Sequence, residues 1–119
     1  MISIQSKRIY EPAQDADGLR ILVDRLWPRG VGKESARVDL WIREAAPSSE
    51  LRKWFGHDVS RFAEFQKRYW SELADSAAHK EAVHTIQLRA LSQPVTLLYA
   101  ARDSLHNNAV VLLDFLNSL

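Results

Sequence analysis

Two short and nearly unbroken apolar runs constrain the fold of this chain most strongly. Ile21, Leu22 and Val23 form the first run, and residues 95–99 (Val-Thr-Leu-Leu-Tyr) form the second. Runs of this length without alternation are typical of strands covered on both faces, as in parallel sheets. The helical segment between them can return the chain as a crossover, which makes the two strands parallel. The sequence therefore predicts an α/β domain built around these two strands.

One further strand and several helices are predicted from the rest of the chain. A first strand is expected over residues 2–10, a second over 19–24 and a third over 95–99. Helices are expected over residues 38–46, 48–55, 62–73, 76–91 and 109–116. Residues 1–119 are thus predicted to form a single α/β domain. Its short, mostly parallel sheet has about three strands and is flanked by four to five helices.

Apolar spacing and capping residues support these helices. Helical spacing of i, i+3, i+4 and i+7, or i, i+3, i+7 and i+11, is found in two groups: Val38, Trp41, Ile42 and Ala45, and Phe62, Phe65, Tyr69 and Leu73. Ser48 is placed to cap the second helix, which is expected to end at Gly56. Asp58 and Ser60 are alternative caps for the helix that follows.

Composition excludes several classes of function. The chain has no cysteine, which excludes disulfides, thiolate metal sites and cysteine nucleophiles and fits a cytoplasmic location. We expect no signal peptide, and no apolar run approaches the roughly 20 residues of a membrane span. The net charge of +1 is far from that of an obligate nucleic-acid binder. His79 and His84 do not share a helical face, so no metal site is predicted, and no cofactor is expected.

Charged and polar residues follow both apolar runs. Asp24, Arg25 and Arg29 come after the first run, and Arg102 and Asp103 come after the second. Ligands of open α/β sheets bind outside the carboxyl ends of the strands. If the two strands are neighbours, these two turns face one another, and the sequence places a candidate site there.

Arginines in the first turn suggest an anionic ligand. Guanidinium groups bind phosphate or carboxylate through planar, paired donors, so Arg25 and Arg29 are candidate ligand-binding residues. The alternative is that Arg25 pairs with Asp24 or Asp103 and locks the turns together. Trp27 and Arg102 are further candidate ligand-binding residues.

Histidines and asparagines extend the candidate site. Asn107 and Asn108 lie where a helix begins, whose free N–H groups can bind an anion, although either side chain can instead cap the helix. His106 and His57 are candidate general acids or bases, with Asp24 or Asp103 orienting them. Tyr99 either lines this pocket or is wholly buried.

Three long motifs resemble one known family. They are residues 23–30 (Val-Asp-Arg-Leu-Trp-Pro-Arg-Gly), residues 46–58 with Leu-Arg-Lys-Trp-Phe-Gly-His-Asp at 51–58, and residues 97–109 with Leu-Leu-Tyr-Ala-Ala-Arg-Asp at 97–103. Together they resemble the YeaO-like family, part of the wider group called domain of unknown function 488. The resemblance covers nearly the whole chain and implies a small α/β domain with no established activity. In other branches of the group the last turn carries a cysteine and a histidine followed by arginine, whereas this chain has Asn-Asn-Ala at 107–109, which removes thiol chemistry.

Two functional hypotheses remain open. The first is a pocket for a small anionic compound, such as a nucleotide or a phosphorylated sugar, with or without acid–base hydrolase or transferase chemistry. The second is a nucleic-acid or protein accessory module. In that module, residues 20–37, which hold five basic and two acidic side chains, would track phosphates while Trp27 stacks on a base. Neither hypothesis involves a membrane, and the oligomeric state is not predicted.

Overall fold

A four-stranded, fully parallel sheet organises the fold. The computed structural model describes residues 3–119. Its strands are β1 (Ile4–Arg8), β2 (Leu19–Leu22), β3 (Leu40–Trp41) and β4 (Val95–Tyr99), and its helices are α1 (Ser49–Phe55), α2 (Phe62–Asp75), α3 (Ala77–Ala90) and α4 (Asn108–Ser118). The strand order is β1-β4-β2-β3, and every neighbouring pair is parallel. The α/β prediction is confirmed, with one more strand than expected; Ile2, part of the predicted first strand, lies outside the described residues.

β4 is the centre of the sheet because it pairs with both β1 and β2. All five of its residues are buried. Leu97 lies opposite Ser6 on one side and Ile21 on the other. The predicted parallel pairing of the two apolar runs is therefore confirmed, and the carboxyl ends of β1, β4 and β2 lie at one edge.

The two faces of the sheet are covered differently. On one face, Ile21 and Leu97 pack in a large core with side chains from all four helices. On the other face, Leu22 and Leu98 pack in a smaller cluster with Trp27, Trp41 and other residues of the 27–41 segment, which includes no helix. Helices on one face and a long loop on the other thus bury both faces of β4.

Residues 38–46 do not form the predicted helix. They form the short edge strand β3 and a turn of 3-10 helix at Arg43–Ala45. The N–H groups of Asp39 and Ile42 donate to carbonyls of Arg20 and Leu22 on the neighbouring strand, at 2.9 and 3.0 Å. Leu40 packs with the large core and Trp41 with the small cluster, which is the alternation of a strand. Pairing with β2 satisfies the hydrogen-bonding groups of the backbone here. The helical spacing of the apolar residues over 38–46 was therefore coincidental.

The other helices begin and end close to the predicted residues. Ser48 caps α1 by accepting from the Leu51 N–H, and Gly56 ends that helix in a left-handed conformation. Asp58, one of the two predicted caps, accepts from Ser60 at a 3-10 turn that leads into α2. Asn107 caps α4 by accepting from the Val110 N–H at 3.0 Å. These confirmations follow from local capping chemistry, which depends on few neighbours.

Gly18 is required by a close contact at the start of β2. Its φ is +66°, and a Cβ there would lie 2.2 Å from the Pro94 carbonyl oxygen, which accepts the Leu19 N–H. We expect Gly18→Ala to lower the free energy of unfolding by about 2–3 kcal/mol, since backbone strain and a steric clash add. The matched control is Gly30→Ala, where φ is +75° but no atom lies within 4 Å of the added Cβ.

Chemical denaturation of the two glycine variants separates the cost of backbone strain from the cost of the clash with the Pro94 carbonyl. Gly30→Ala should cost about 1 kcal/mol, which is the left-handed backbone alone. Equal losses in both variants would show that the Pro94 contact contributes nothing and would contradict the prediction for Gly18.

Candidate functional site

A cleft of about 890 Å³ opens at the carboxyl ends of β1, β4 and β2. The 24–28 turn forms one wall, Ala46 and Pro47 a second, and the end of α1 a third. Its polar lining consists of Arg8, Tyr10, Asp24, Arg25, Arg52, Lys53, His57, Arg102, Asp103, Asn107 and Asn108. A cleft at this edge of a parallel sheet is the usual place for a ligand in α/β proteins.

Asp24 lies on the floor of the cleft and joins the two polar turns. Its Oδ2 accepts the Ala100 N–H at 3.0 Å, and its Oδ1 accepts from Asn108 Nδ2 at 3.2 Å. Burial raises the pKa of Asp24 above its ordinary value, although these two hydrogen bonds and the nearby charges of His57 and Arg52 oppose the rise. A desolvated carboxyl beside an imidazole in a cleft has the composition of a functional site.

The two asparagines of the last turn have different tasks. Asn107 is buried and caps α4, while its Nδ2 donates to the Asp103 carbonyl at 2.9 Å. Asn108 Nδ2 donates to the Val23 carbonyl at 3.0 Å and to Asp24. Asn107 therefore orders the helix end, and Asn108 ties that end to the carboxyl terminus of β2.

Arg25 is anchored to backbone carbonyls. Its Nε donates to the Pro47 carbonyl at 3.0 Å and its Nη2 to the Ala46 carbonyl at 3.2 Å. Its hydrogen bonds among residues 3–119 include none to Asp24 or Asp103, so the pairing alternative was wrong. The guanidinium instead fixes the Ala46–Pro47 wall and keeps one nitrogen, Nη1, without a protein acceptor in that range.

Buried groups hold the same wall from behind. The Tyr69 hydroxyl donates to the Ala45 carbonyl, and His79 Nε2 lies 2.7 Å from the Ala46 carbonyl oxygen. Glu72 accepts from both the backbone N–H and the hydroxyl of Ser48, at 2.8 and 2.6 Å. Ala45, Ala46 and Ser48 are thus held by α2 and α3, which makes this wall of the cleft rigid.

Three cationic side chains of the cleft remain exposed. Within residues 3–119, the side chains of Arg52, Lys53 and Arg102 have no hydrogen bond or ion pair of their own. Arg8 is different because its Nε donates to the carbonyls of Ala100 and Ala101, at 3.3 and 3.1 Å. Uncommitted guanidinium and ammonium groups at one cleft are suited to bind an anion.

His57 projects from the end of α1 with an unusual backbone. Its φ is +58°, a left-handed conformation that costs a non-glycine residue about 1–2 kcal/mol. The surrounding fold must supply that energy, and such positions cluster at ligand sites. His57 lines the cleft, and its ring lies 6.2 Å from that of Phe55.

Asp103 lines the cleft and pairs with His106, which does not line it. Asp103 accepts from the backbone N–H groups of Leu105 and His106 and contacts the His106 ring at 2.9 Å. The Leu105 N–H, together with His106, lowers the pKa of Asp103. His106 packs edge-on against Phe62 and is not among the lining residues, so this carboxylate orders its own turn.

Two predicted ligand-binding residues, Arg29 and Tyr99, lie outside the cleft. A third, Trp27, lines the cleft, but its N–H is already used. Arg29 is exposed and does not line the cleft; its carbonyl accepts from the Tyr10 hydroxyl at 2.9 Å. Tyr99 is 4% exposed and belongs to the large core, which decides between the two alternatives for it. Trp27 lines the cleft, but its N–H already donates to the Val31 carbonyl at 2.8 Å.

Sequence reasoning missed several lining side chains, among them Arg8, Arg52, Phe55 and Phe65. Arg8 follows the same carboxyl-end rule as Asp24, but the rule applies to it only once β1 is known to pair with β4. Arg52 and Phe55 lie within the motif over residues 46–58, which was a usable signal. No feature of the sequence points to Phe65, whose place depends on how α2 packs.

Two negative observations hold for residues 3–119. Nowhere in this range do three histidine or acidic side chains gather as a metal ion would require. None of the helices in this part of the chain combines the length and apolar character needed to span a bilayer.

Comparison with known proteins identifies the family. A family model described as "Inactive DUF488-N3 subclade" matches residues 3–119. The chain is 47% identical over 118 residues to Uncharacterized protein YeaO of Escherichia coli strain K12, covering 99% of this chain and 100% of that protein. It is 43% identical over 114 residues to Uncharacterized protein Rv3073c of Mycobacterium tuberculosis H37Rv, covering 96% and 93%. No solved structure gives a significant match. The chain therefore belongs to the YeaO-like DUF488 family, in the subclade described as inactive.

Proposed function

We propose that this domain binds a small anionic compound, such as a phosphate ester, in the cleft at the carboxyl edge of its sheet. The observation that carries the proposal is local charge. Five basic and two acidic side chains line the cleft, whereas the whole chain has 16 basic and 15 acidic residues. An excess of cations over apolar walls attracts and holds an anion with a carbon skeleton.

Binding without turnover is the form of this proposal that the family favours. The matching family model is described as an inactive subclade. The asparagines of the last turn also serve structure, since one caps α4 and the other bridges to Asp24. Both roles are structural, and binding a ligand in this cleft needs no nucleophile from the last turn.

Acid–base chemistry is the second candidate, favoured by one observation. Asp24, with its raised pKa, and His57 lie in the same cleft, so a general acid and a general base are both at hand. The test is to incubate the protein with any ligand that binds and to follow it by ³¹P NMR. A product formed by the wild type and lost in His57→Gln would establish turnover, and an unchanged spectrum would leave a binding protein.

The alternative of a nucleic-acid or protein accessory module depends on the basic side chains of residues 20–37, and two of them have structural roles. Arg20 is only 2% exposed and binds Asp17 and the Ala36 carbonyl, so it does not face a partner. Arg25 is committed to the Ala46–Pro47 wall. Two of the five basic residues of 20–37 are therefore structural.

Cleft arginines should control ligand affinity. We expect Arg52→Ala and Arg102→Ala each to weaken binding of a phosphate ester roughly ten- to a hundredfold, because each removes a charged donor. Arg29→Ala is the matched control, since this exposed arginine lies outside the cleft and should leave affinity unchanged. The measurement is isothermal titration of each variant with the best compound from a thermal-shift screen of phosphate, sulfate, carboxylates and phosphate esters.

The same screen includes a short DNA single strand at low and moderate salt. Stabilisation by DNA alone that disappears as salt rises would support the accessory module instead. A wild type that no small anion stabilises, or an equal loss of affinity in Arg29→Ala, would rule out the cleft as the anion site.

A further inference from the structure

The side chains of Asp24 and Asn108 on the floor of the cleft present hydrogen-bond acceptors to a ligand. Asn108 uses both N–H groups of its side-chain amide, on the Val23 carbonyl and on Asp24. Its Oδ1 accepts from no donor within residues 3–119 and is not a buried atom. An amide oxygen accepts two hydrogen bonds, so Asn108 can receive donors from a ligand but has none to give.

The Asp24 carboxylate also acts as a hydrogen-bond acceptor. Each of its carboxylate oxygens accepts one protein hydrogen bond, from the Ala100 N–H and from Asn108. A carboxylate has about four acceptor positions, so roughly half of its capacity is open to the cleft. The Ala100 N–H beside it is already used by Asp24 and is not available to a ligand.

The rim has the opposite polarity. Arg52, Lys53 and Arg102 carry donors and positive charge and have no protein partner in the described part of the chain. The cleft thus pairs a donor-rich cationic rim with two acceptor side chains on its floor. A ligand that satisfies both parts has an anionic group at one end and hydrogen-bond donors at the other.

We infer that the ligand is a phosphorylated, hydroxyl-bearing compound, with its phosphate at the Arg52–Arg102 rim and its sugar hydroxyls on Asp24 and Asn108. This inference rests on the proposed function and specifies the ligand class. Methyl phosphate and plain dicarboxylates have no hydroxyl separate from their anionic groups, so they cannot fill the rim and donate to the floor at once. Free sugar phosphates and the ribose phosphate of nucleotides share the required chemistry.

Neutral hydroxyls suit the floor better than an ammonium group. Arg52 and His57 lie close enough to Asp24 to act on its charge, and Arg25 lines the same cleft. An added cation would meet these like charges, whereas a hydroxyl donates without charge. Leu26, which is 60% exposed, and the half-buried Trp27 line the cleft as well and provide apolar surface for the carbon face of a sugar.

Titration with a matched ligand series tests the inference on the wild-type protein. The series is methyl phosphate, 2-deoxyribose 5-phosphate and ribose 5-phosphate, which share the phosphate and differ in hydroxyls. We expect affinity to rise along the series, with ribose 5-phosphate binding at least tenfold more tightly than methyl phosphate. Adenosine 5′-monophosphate distinguishes the two types of ligand. If it binds more tightly than ribose 5-phosphate, the ligand is a nucleotide; if it binds more weakly, the ligand is a free sugar phosphate.

One variant locates the hydroxyl contact. Asn108→Ala should lose most of the preference for ribose 5-phosphate, so the ratio of its affinities for ribose 5-phosphate and methyl phosphate should fall towards one. Equal affinity of the wild type along the series would overturn the inference while leaving the anion-binding proposal intact. Glucosamine 6-phosphate binding more tightly than glucose 6-phosphate would also overturn it. Failure of all phosphate esters to bind would instead refute the proposed function.

Discussion

Arg20→Met is expected to lower the free energy of unfolding by about 3–5 kcal/mol, because it breaks a buried ion pair and leaves one charge behind. Arg20 and Asp17 are each 2% exposed, and their closest N–O distance is 2.6 Å. The guanidinium also donates to the carbonyls of Ala36 and Arg37, which fastens the loop covering the second face of the sheet. Lys7 remains 3.1 Å from Asp17, so the loss should fall near the lower end of that range.

Arg68→Met is the matched control for this substitution. The Arg68–Glu64 pair on α2 is about half exposed on both sides, at a distance of 3.0 Å. Exposed pairs contribute little, and methionine has nearly the helix propensity of arginine, so the loss should stay below about 1 kcal/mol. Urea denaturation of both variants measures the difference. A loss in Arg20→Met no larger than the control would show that the buried pair does not stabilise the fold.

The same ion pair predicts a pH dependence. Burial alone would raise the pKa of Asp17, but hydrogen bonds from the Gln14 N–H, Lys7 and Arg20 outweigh burial and lower it below the ordinary value of 3.8. A carboxyl whose pKa is lower in the folded state stabilises the fold above the unfolded-state pKa. That stability is lost as pH falls through the folded-state value. The stability gap between wild type and Asp17→Asn should therefore persist from neutral pH to about 4 and close below it.

Local signals explain why much of this fold could be predicted from the sequence. Ile21–Val23 and Val95–Tyr99 are apolar on both faces, and that property needs no knowledge of partners. Their parallel pairing follows from the helical crossover, and it brings Asp24 to Asn108. The approach of these two turns was thus predictable, because it depends on a single strand pairing.

What could not be predicted depends on long-range packing. A two-residue strand such as β3 leaves almost no pattern, since its identity lies in hydrogen bonds to β2. Arg20 lies next to buried apolar residues on the central strand β2. Only the structure shows that Asp17 neutralises it there and also pairs with Lys7. Tyr99 shares a face with Leu97 by the period of two, but only the packing of the helices shows that this face is the core. The cations of α1 reach the cleft only through helix packing.

Phe65→Ala should cost about 3–5 kcal/mol, because it opens a cavity where the core meets the cleft. Phe65 is 1% exposed, stacks on Phe55 at 4.2 Å between ring centroids and lies 5.7 Å from Tyr69. Its neighbours belong to α1 and α2, whose backbones resist collapse, so the cavity should remain largely unfilled. Urea denaturation measures the loss.

Phe62→Ala is the control for this substitution, one turn earlier on the same helix. Phe62 is only partly buried and contacts Phe55, Phe65 and His106 at centroid distances of 5.0–6.1 Å, so its removal should cost about half as much. Phe65→Ala should also weaken phosphate-ester binding, because Phe55 packs on Phe65 and α1 carries Arg52 and Lys53 to the rim. Equal losses of stability in the two variants would contradict the buried stack, and unchanged affinity in Phe65→Ala would show that α1 holds its cations without it.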